Sequence, residues 1–252
     1  MIMEAHALKI ELLGVSFDDV TLEEAVAAGA ALAAGPGTSY VVTPNPEFIL
    51  DARKNNRFRA DLAGAALTIA DGVGVVYAAR ILGTPLKGKV PGIDFAQGLV
   101  RTMAEKGQRL FLLGAKPGVA ELATKNLTGR YPGLTVCGVH DGYFQESESP
   151  EVAAKIRESG ADVVFVCLGA PKQERWMAAH GEETGAHLLV GLGGSLDVFA
   201  GTVERAPLGW QKLGLEWLYR LFKEPWRWKR MARLPLILWF ALLERLGGGR
   251  HG

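Results

Sequence analysis

Short, almost uninterrupted apolar runs recur along this chain: Leu8–Val15, Tyr40–Thr43, Leu67–Ala70, Arg109–Leu113, Leu134–Val139, Val163–Leu168 and His187–Gly191. Such runs are too short for buried helices, and their continuous apolar character fits strands covered on both faces. Between them lie stretches with helical spacing: Thr21–Ala33, Gly72–Arg80, Asp94–Lys106, Pro117–Gly129, Pro150–Ser159 and Pro171–His180. The alternation predicts an α/β fold, with a mostly parallel sheet and helices on both faces. Local signals agree. Thr21 followed by Glu24 forms a capping-box pattern, and Pro150 and Pro171 suit first-turn positions. Hydrophobic residues make up 48% of the 252 residues, enough for a large core.

One composition shift, near Arg205–Trp210, divides residues 1–205 from a helical appendage at 206–252. Trp210 to Leu246 holds five of the six tryptophans and eight Lys/Arg against three Glu. That segment carries +5 and the remainder −4, while the whole chain is +1, which argues against bulk nucleic-acid binding. Indoles and basic side chains together suit an anionic lipid surface. The apolar run Leu234–Leu243 is about ten residues long and contains Pro235, whereas a spanning helix needs roughly 20. The N-terminus lacks a basic-then-apolar signal pattern. The expectation is a cytoplasmic protein, peripheral on the inner face of the cell membrane, with a homo-oligomer also open. Cys137 and Cys167 lie in strand-like runs and read as reduced core thiols, and no zinc-binding spacing is present.

Ligands of parallel sheets collect beyond the carboxyl ends of the strands, so the residues after each run matter most. Thr43-Pro44-Asn45 could present polar groups to a sugar or phosphate, or form a rigid entry to a helix. Asp71, followed by Gly72 and Gly74, could accept a proton from a hydroxyl nucleophile or cap the next helix. Gly114 to Gly118 is a strand–turn–helix that could face a phosphate, but it matches neither a P-loop nor a dinucleotide fingerprint. Gln173 can donate and accept toward a sugar, while Glu174 complements a helix dipole. Gly193, Gly194 and Asp197 follow the last run, where Asp197 could bind a ribose hydroxyl or satisfy loop amides. No D-x-D occurs, so a bound diphosphate would be offset by cationic side chains, with no metal or other cofactor expected.

The stretches TPNPEF, TIADGVGVV, VPGIDF, LFLLGAKPGVA, VVFVCLGAPKQERW, GLGGSLDVFAGTVERAP and GLEWLYRLFKEPWRWKR together resemble the WecG/TagA/CpsF family of bacterial glycosyltransferases. The resemblance runs from about residue 40 to residue 233. It implies a Rossmann-like core. It also implies transfer of a sugar, N-acetylmannosamine or a related hexose or uronate, from a UDP-sugar to an undecaprenyl-diphosphate-linked GlcNAc-type acceptor. It makes Asp71 the catalytic base, puts Thr43, Asn45 and Gln173 near the reacting sugars, and puts Asp197 on the nucleotide side. Arg220, Arg227 and Arg230 of the appendage would complete the site around the diphosphate. Lys89 departs from the family's usual arginine: it keeps the charge and loses the bidentate fork.

A different class of reading is an inactive nucleotide-binding regulator or scaffold of the same fold. An oxidoreductase is disfavoured by the absent fingerprint. For the appendage, one expectation is that it docks on the membrane and brings its arginines over the site only there, so that removing Trp210–Gly252 leaves a folded, inactive core. The other is that it packs on the body as an ordinary helical cap.

Overall fold

The computed structural model describes residues 8–223 and 233–247, with the side chains of Lys212 and Arg220 left aside. Among the described residues eight strands form: β1 (Lys9–Leu12), β2 (Val15–Asp18), β3 (Ser39–Val42), β4 (Leu67–Thr68), β5 (Arg109–Gly114), β6 (Thr135–His140), β7 (Val163–Cys167) and β8 (Leu188–Gly191). The last six build one sheet in the order β4-β3-β8-β7-β5-β6, with every pairing parallel. The α/β expectation therefore holds. The Leu8–Val15 run differs from its expected single strand. It breaks at Leu13 and Gly14, whose φ values of 53° and 86° turn the chain, and β1 pairs antiparallel with β2 outside the main sheet.

The helices are α1 (Leu22–Leu32), α2 (Pro46–Ala52), α3 (Asn56–Ala63), α4 (Val73–Leu82), α5 (Gly92–Lys106), α6 (Val119–Arg130), α7 (Ser149–Ser159), α8 (Lys172–His180), α9 (Ser195–Phe199), α10 (Leu208–Lys212), α11 (Glu216–Lys223) and α12 (Arg233–Gly247). The Thr21–Glu24 capping box is present in both directions, at 3.2 and 2.8 Å. Pro150 lies in the first turn of α7. Pro171 instead occupies the N-cap of α8, behind a cis Ala170–Pro171 bond.

Strand side chains alternate between two cores, as period-two geometry requires. Phe111, Leu113, Val164, Val166 and Leu189 face a layer built by α2, α3, α4, α7, α8 and α12. Leu110, Leu112, Phe165, Leu188 and Val190 face α1, α5, α6 and α9. Both cysteines are free; Cys167 is buried and Cys137 only partly so. Burial pushes the Cys167 thiol up to about 12, which keeps it protonated and inert.

The last helix is part of this packing. Ile237 and Ala241 of α12 are fully buried in the first core, and Leu234 seats against Gly74 and Pro46, where any Cβ at Gly74 would collide. Deleting residues from Trp210 onward would remove these two buried side chains from the first core.

The layer assignment also places the mouths. The chain leaves β3 and β7 toward the first layer and leaves β8, between them, toward the second. Adjacent strands whose exits diverge open a crevice at their carboxyl ends. The crevice here is centred on the Gly191–Gly194 turn. A groove of about 700 Å³ between α1 and α5, lined by residues such as Val26, Ala30 and Arg101, lies on the outer helical surface and away from it.

Candidate active site

Three sequence-distant segments meet beside the crevice. The Asp71 amide donates to the Pro44 carbonyl at 3.0 Å, and the Val90 amide donates to the Ala70 carbonyl at 2.8 Å. Gly92 lies against Thr43, with space for a Cβ only 3.2 Å from the threonine methyl. Asp71, half-buried, thus sits on a bend pinned to the Thr43–Asn45 segment on one side and to Lys89–Gly92 on the other. It is not the N-cap of α4. Gly72 holds that position with φ 107°, and no side chain caps the helix.

Thr43 and Asn45 have structural partners here. Thr43 is buried, and its hydroxyl donates to the Gly191 carbonyl at 2.9 Å, across the β3–β8 crevice. Asn45 caps α2: its Oδ1 accepts from the Glu47 amide at 2.8 Å and the Phe48 amide at 3.4 Å. Pro46 at N1 completes that helix start.

Gln173 is fully buried. Its Oε1 accepts from the Gly193 amide at 3.0 Å, and its Nε2 donates to Glu174 Oε1 at 2.6 Å. The side chain that sequence reasoning aimed at a sugar therefore lies beneath the crevice floor. Glu174 is equally buried, and its Oε2 has no hydrogen-bond partner. Burial, with a smaller push from Asp61, raises its carboxyl to about 7 against the opposing hydrogen bond from Gln173. Gly193, at φ 54°, has open space where a Cβ would point, and Asp197 stands in the first turn of α9, with its backbone oxygen held by Thr202 and Val203. At the neighbouring crevice Gly114 adopts φ 126°, and a Cβ there would lie 2.3 Å from the Cys167 carbonyl oxygen, so only glycine fits.

Lys89 is engaged by the appendage. Its Nζ donates to the Gln211 carbonyl at 3.0 Å and lies 3.5 Å from Glu216 Oε2. Arg205 grips both Asp94 oxygens, Nη2 to Oδ2 at 2.8 Å, and its Nε reaches Glu216 Oε1 at 3.2 Å. Burial works against the guanidinium charge, but the two carboxylates outweigh it and raise its pKa. The sequence reading makes Lys89 a candidate phosphate contact and does not join it to Asp94, Arg205 and Glu216; the signal was one guanidinium and two carboxylates with no assigned partners. Arg220 lies on α11, while Arg227 and Arg230 lie outside the described residues. Among the described residues no three His, Cys, Asp or Glu side chains converge as metal ligands, and no helix is long and apolar enough to cross a membrane.

A parallel sheet with a carboxylate and glycine turns at the strand mouths defines an α/β protein whose ligand crevice lies at that edge. Comparison with known sequences narrows the class. Residues 10–251 match the model of the glycosyl transferase WecG/TagA/CpsF family, and the chain belongs to that family. It is 38% identical over 197 residues to an N-acetylglucosaminyldiphosphoundecaprenol N-acetyl-beta-D-mannosaminyltransferase of Bacillus spizizenii, covering 78% of this chain and 76% of the relative. It is 35% identical over 235 residues to a protein of the same name from Staphylococcus aureus (strain MW2), covering 92% and 91%.

Proposed function

We propose that this chain is an inverting glycosyltransferase that moves N-acetylmannosamine, or a related hexose, from a UDP-sugar to an undecaprenyl-diphosphate-linked GlcNAc acceptor. The observation that carries the reading is the placement of Asp71 on a pinned bend at a strand mouth, in a chain similar over nine-tenths of its length to a relative named for that transfer. In the reaction, the acceptor hydroxyl attacks the anomeric carbon and forms the new C–O bond. Its proton passes to the Asp71 carboxylate. The bond to UDP breaks on the opposite face, and the electron pair leaves on the diphosphate oxygen. Arg220, Arg227 and Arg230 supply charge to that oxygen, a contribution of about 3–4 kcal/mol per well-placed donor. Lys89 can join them by exchanging its Glu216 partner for phosphate. Thr43, Asn45 and Gln173 shape the crevice from within, through Gly191, the start of α2 and Gly193, and Gly114, Gly193 and Asp197 border the nucleotide.

The appendage supports a membrane-surface location. Leu236, Trp239, Leu243 and Leu246 of α12 are exposed by 40–68%, a row suited to the headgroup layer of an anionic bilayer. Binding to anionic but not neutral vesicles, lost on Trp239→Ser with Leu243→Ser, would bear this out.

The decisive assay mixes the protein, UDP-N-acetylmannosamine and a synthetic polyprenyl-diphosphate-GlcNAc. UDP release should require the acceptor, survive EDTA, and fall about 10²–10⁴-fold in Asp71→Asn without loss of folding. UDP binding with no release would favour an inactive regulator, and near-normal turnover by Asp71→Asn would remove that residue from the mechanism.

A further inference from the structure

The proposed reaction gives Glu174 no part, yet its placement is unusual. The side chain is fully buried at the start of α8, with Oε2 unpartnered and the Asp61 carboxylate close enough to oppose its charge. Asp61 Oδ2 is itself buried and unpaired, and the nearby Tyr40 hydroxyl donates to the Asp61 backbone rather than to either carboxylate. A buried carboxyl with one bare oxygen and a like-charged neighbour works against folding. Methionine would fill the space at less cost. What Glu174 provides is its other oxygen, which accepts from Gln173 Nε2 at 2.6 Å.

We propose that Glu174 is a positioning residue, which fixes the orientation of the Gln173 amide and through it holds the Gly193 backbone at the crevice. The inference rests on the reading of that crevice as the donor site. The amide of Gln173 has two orientations that fill the same volume. In the observed one, Nε2 meets Glu174 Oε1, which accepts, and Oε1 meets an N–H, which only donates. The flipped one sets oxygen against oxygen and donor against donor. Glu174 and Gly193 thus select the same orientation from opposite ends.

The geometry around the turn agrees. Gly191 has no room for a side chain: a Cβ would sit 2.9 Å from Met177 Cε and 3.0 Å from Gln173 Nε2. The Gly191 carbonyl is held from the β3 side by Thr43, and Ser195 Oγ returns to the Leu192 carbonyl at 2.8 Å. The turn is gripped from below and from its flank, while the side of Gly193 where a Cβ would point stays open. A shift of the Gly193 amide would therefore be felt where the donor binds rather than in the core.

The test compares Glu174→Leu, which removes the acceptor, with Glu174→Gln, whose side-chain oxygen can still accept. Glu174→Leu is expected to raise KM for the UDP-sugar about tenfold, the scale of one lost hydrogen bond in a binding site, while kcat changes far less. Glu174→Gln should recover most of the lost affinity. Independently of activity, hydrogen exchange at the Gly193 amide in ¹⁵N-labelled protein should quicken in the leucine variant and stay near wild type in the glutamine variant. Unmoved exchange at Gly193 in Glu174→Leu overturns the inference, as does an equal fall in kcat with unchanged KM. If the leucine variant does not fold, Glu174→Ala carries the same expectations; failure of both to fold while Glu174→Gln folds would show a purely structural residue. Absence of turnover in the wild-type protein, with the exchange pattern as expected, would sink the donor-site reading and leave the relay standing.

Discussion

The sheet and the C-terminal segment are held to this molecule by different forces. Val163, Val164, Phe165 and Val166 of β7 are all fully buried, with apolar neighbours in both layers. In α10–α12, among the described side chains, only Ile237 and Ala241 are fully buried. Leu234, Leu238 and Phe240 add partly buried apolar contacts, and ion pairs complete the attachment: Arg205 with Asp94 and Glu216, Lys89 with Glu216, and Arg233 with Asp51 at 3.0 Å. Apolar burial is not screened by salt, whereas partly exposed ion pairs are. The body is thus held by apolar burial, and the appendage by apolar burial together with ion pairs whose strength depends on salt.

The contrast can be broken by substitution. Phe165→Ala should cost the most, about 3–5 kcal/mol, and lower the calorimetric melt of the whole body; a loss under about 1 kcal/mol would mean that the sheet is not the scaffold. Ile237→Ala should cost about 3 kcal/mol and speed proteolysis between Arg205 and Leu215 relative to the body. Equal protection there would place the appendage within the scaffold.

Glu174 is the exception inside the scaffold. Its carboxyl is raised from 4.5 to about 7, so the folded state keeps a proton that the unfolded chain releases across that window. Its contribution is therefore least unfavourable below the lower value, and stability falls as pH rises toward the upper one. Chemical denaturation of wild type minus Glu174→Gln should show a tilt on the order of 3 kcal/mol across the window, and a flat difference would contradict the raised value. The smallest effect belongs to Arg233→Gln. Both partners there are more than a third exposed, so the loss should be about 0.5 kcal/mol at low salt and vanish at high salt. A salt-independent loss would mean that packing, not charge, seats α12.

Much of the scaffold is legible in the residues themselves. The apolar runs mark all six strands of the sheet, Thr21 and Glu24 mark a helix start, and the residues after each run mark the mouths. The helices at Pro46–Ala52 and Asn56–Ala63 are missed because each spans about two turns and shows little periodicity, although Asn45-Pro46 is itself a helix-start signal. The Leu8–Val15 run misleads because its interruption is a backbone turn at Leu13–Gly14, which an apolar pattern does not record.

The site divides in the same way. Asp71 stands out in the sequence because a carboxylate ending an apolar strand is already unusual, and the family resemblance suggests the role proposed for it. Gln173, Glu174 and Lys89 are legible only as polar residues near a mouth. Which of them faces the crevice depends on segments far away in the chain: Gly193 takes one end of Gln173, Asp61 opposes Glu174, and Glu216 holds Lys89.

Sequence by itself determined the parallel sheet, its mouths and the family, because hydrophobic periodicity and short motifs are local properties. Tertiary structure decided that Gln173 lies under the floor, that Arg205 and Lys89 bind the appendage to the body, and that α12 shares the core. Burial and charge pairing are properties of contacts between distant residues, and those contacts exist only once the chain has folded.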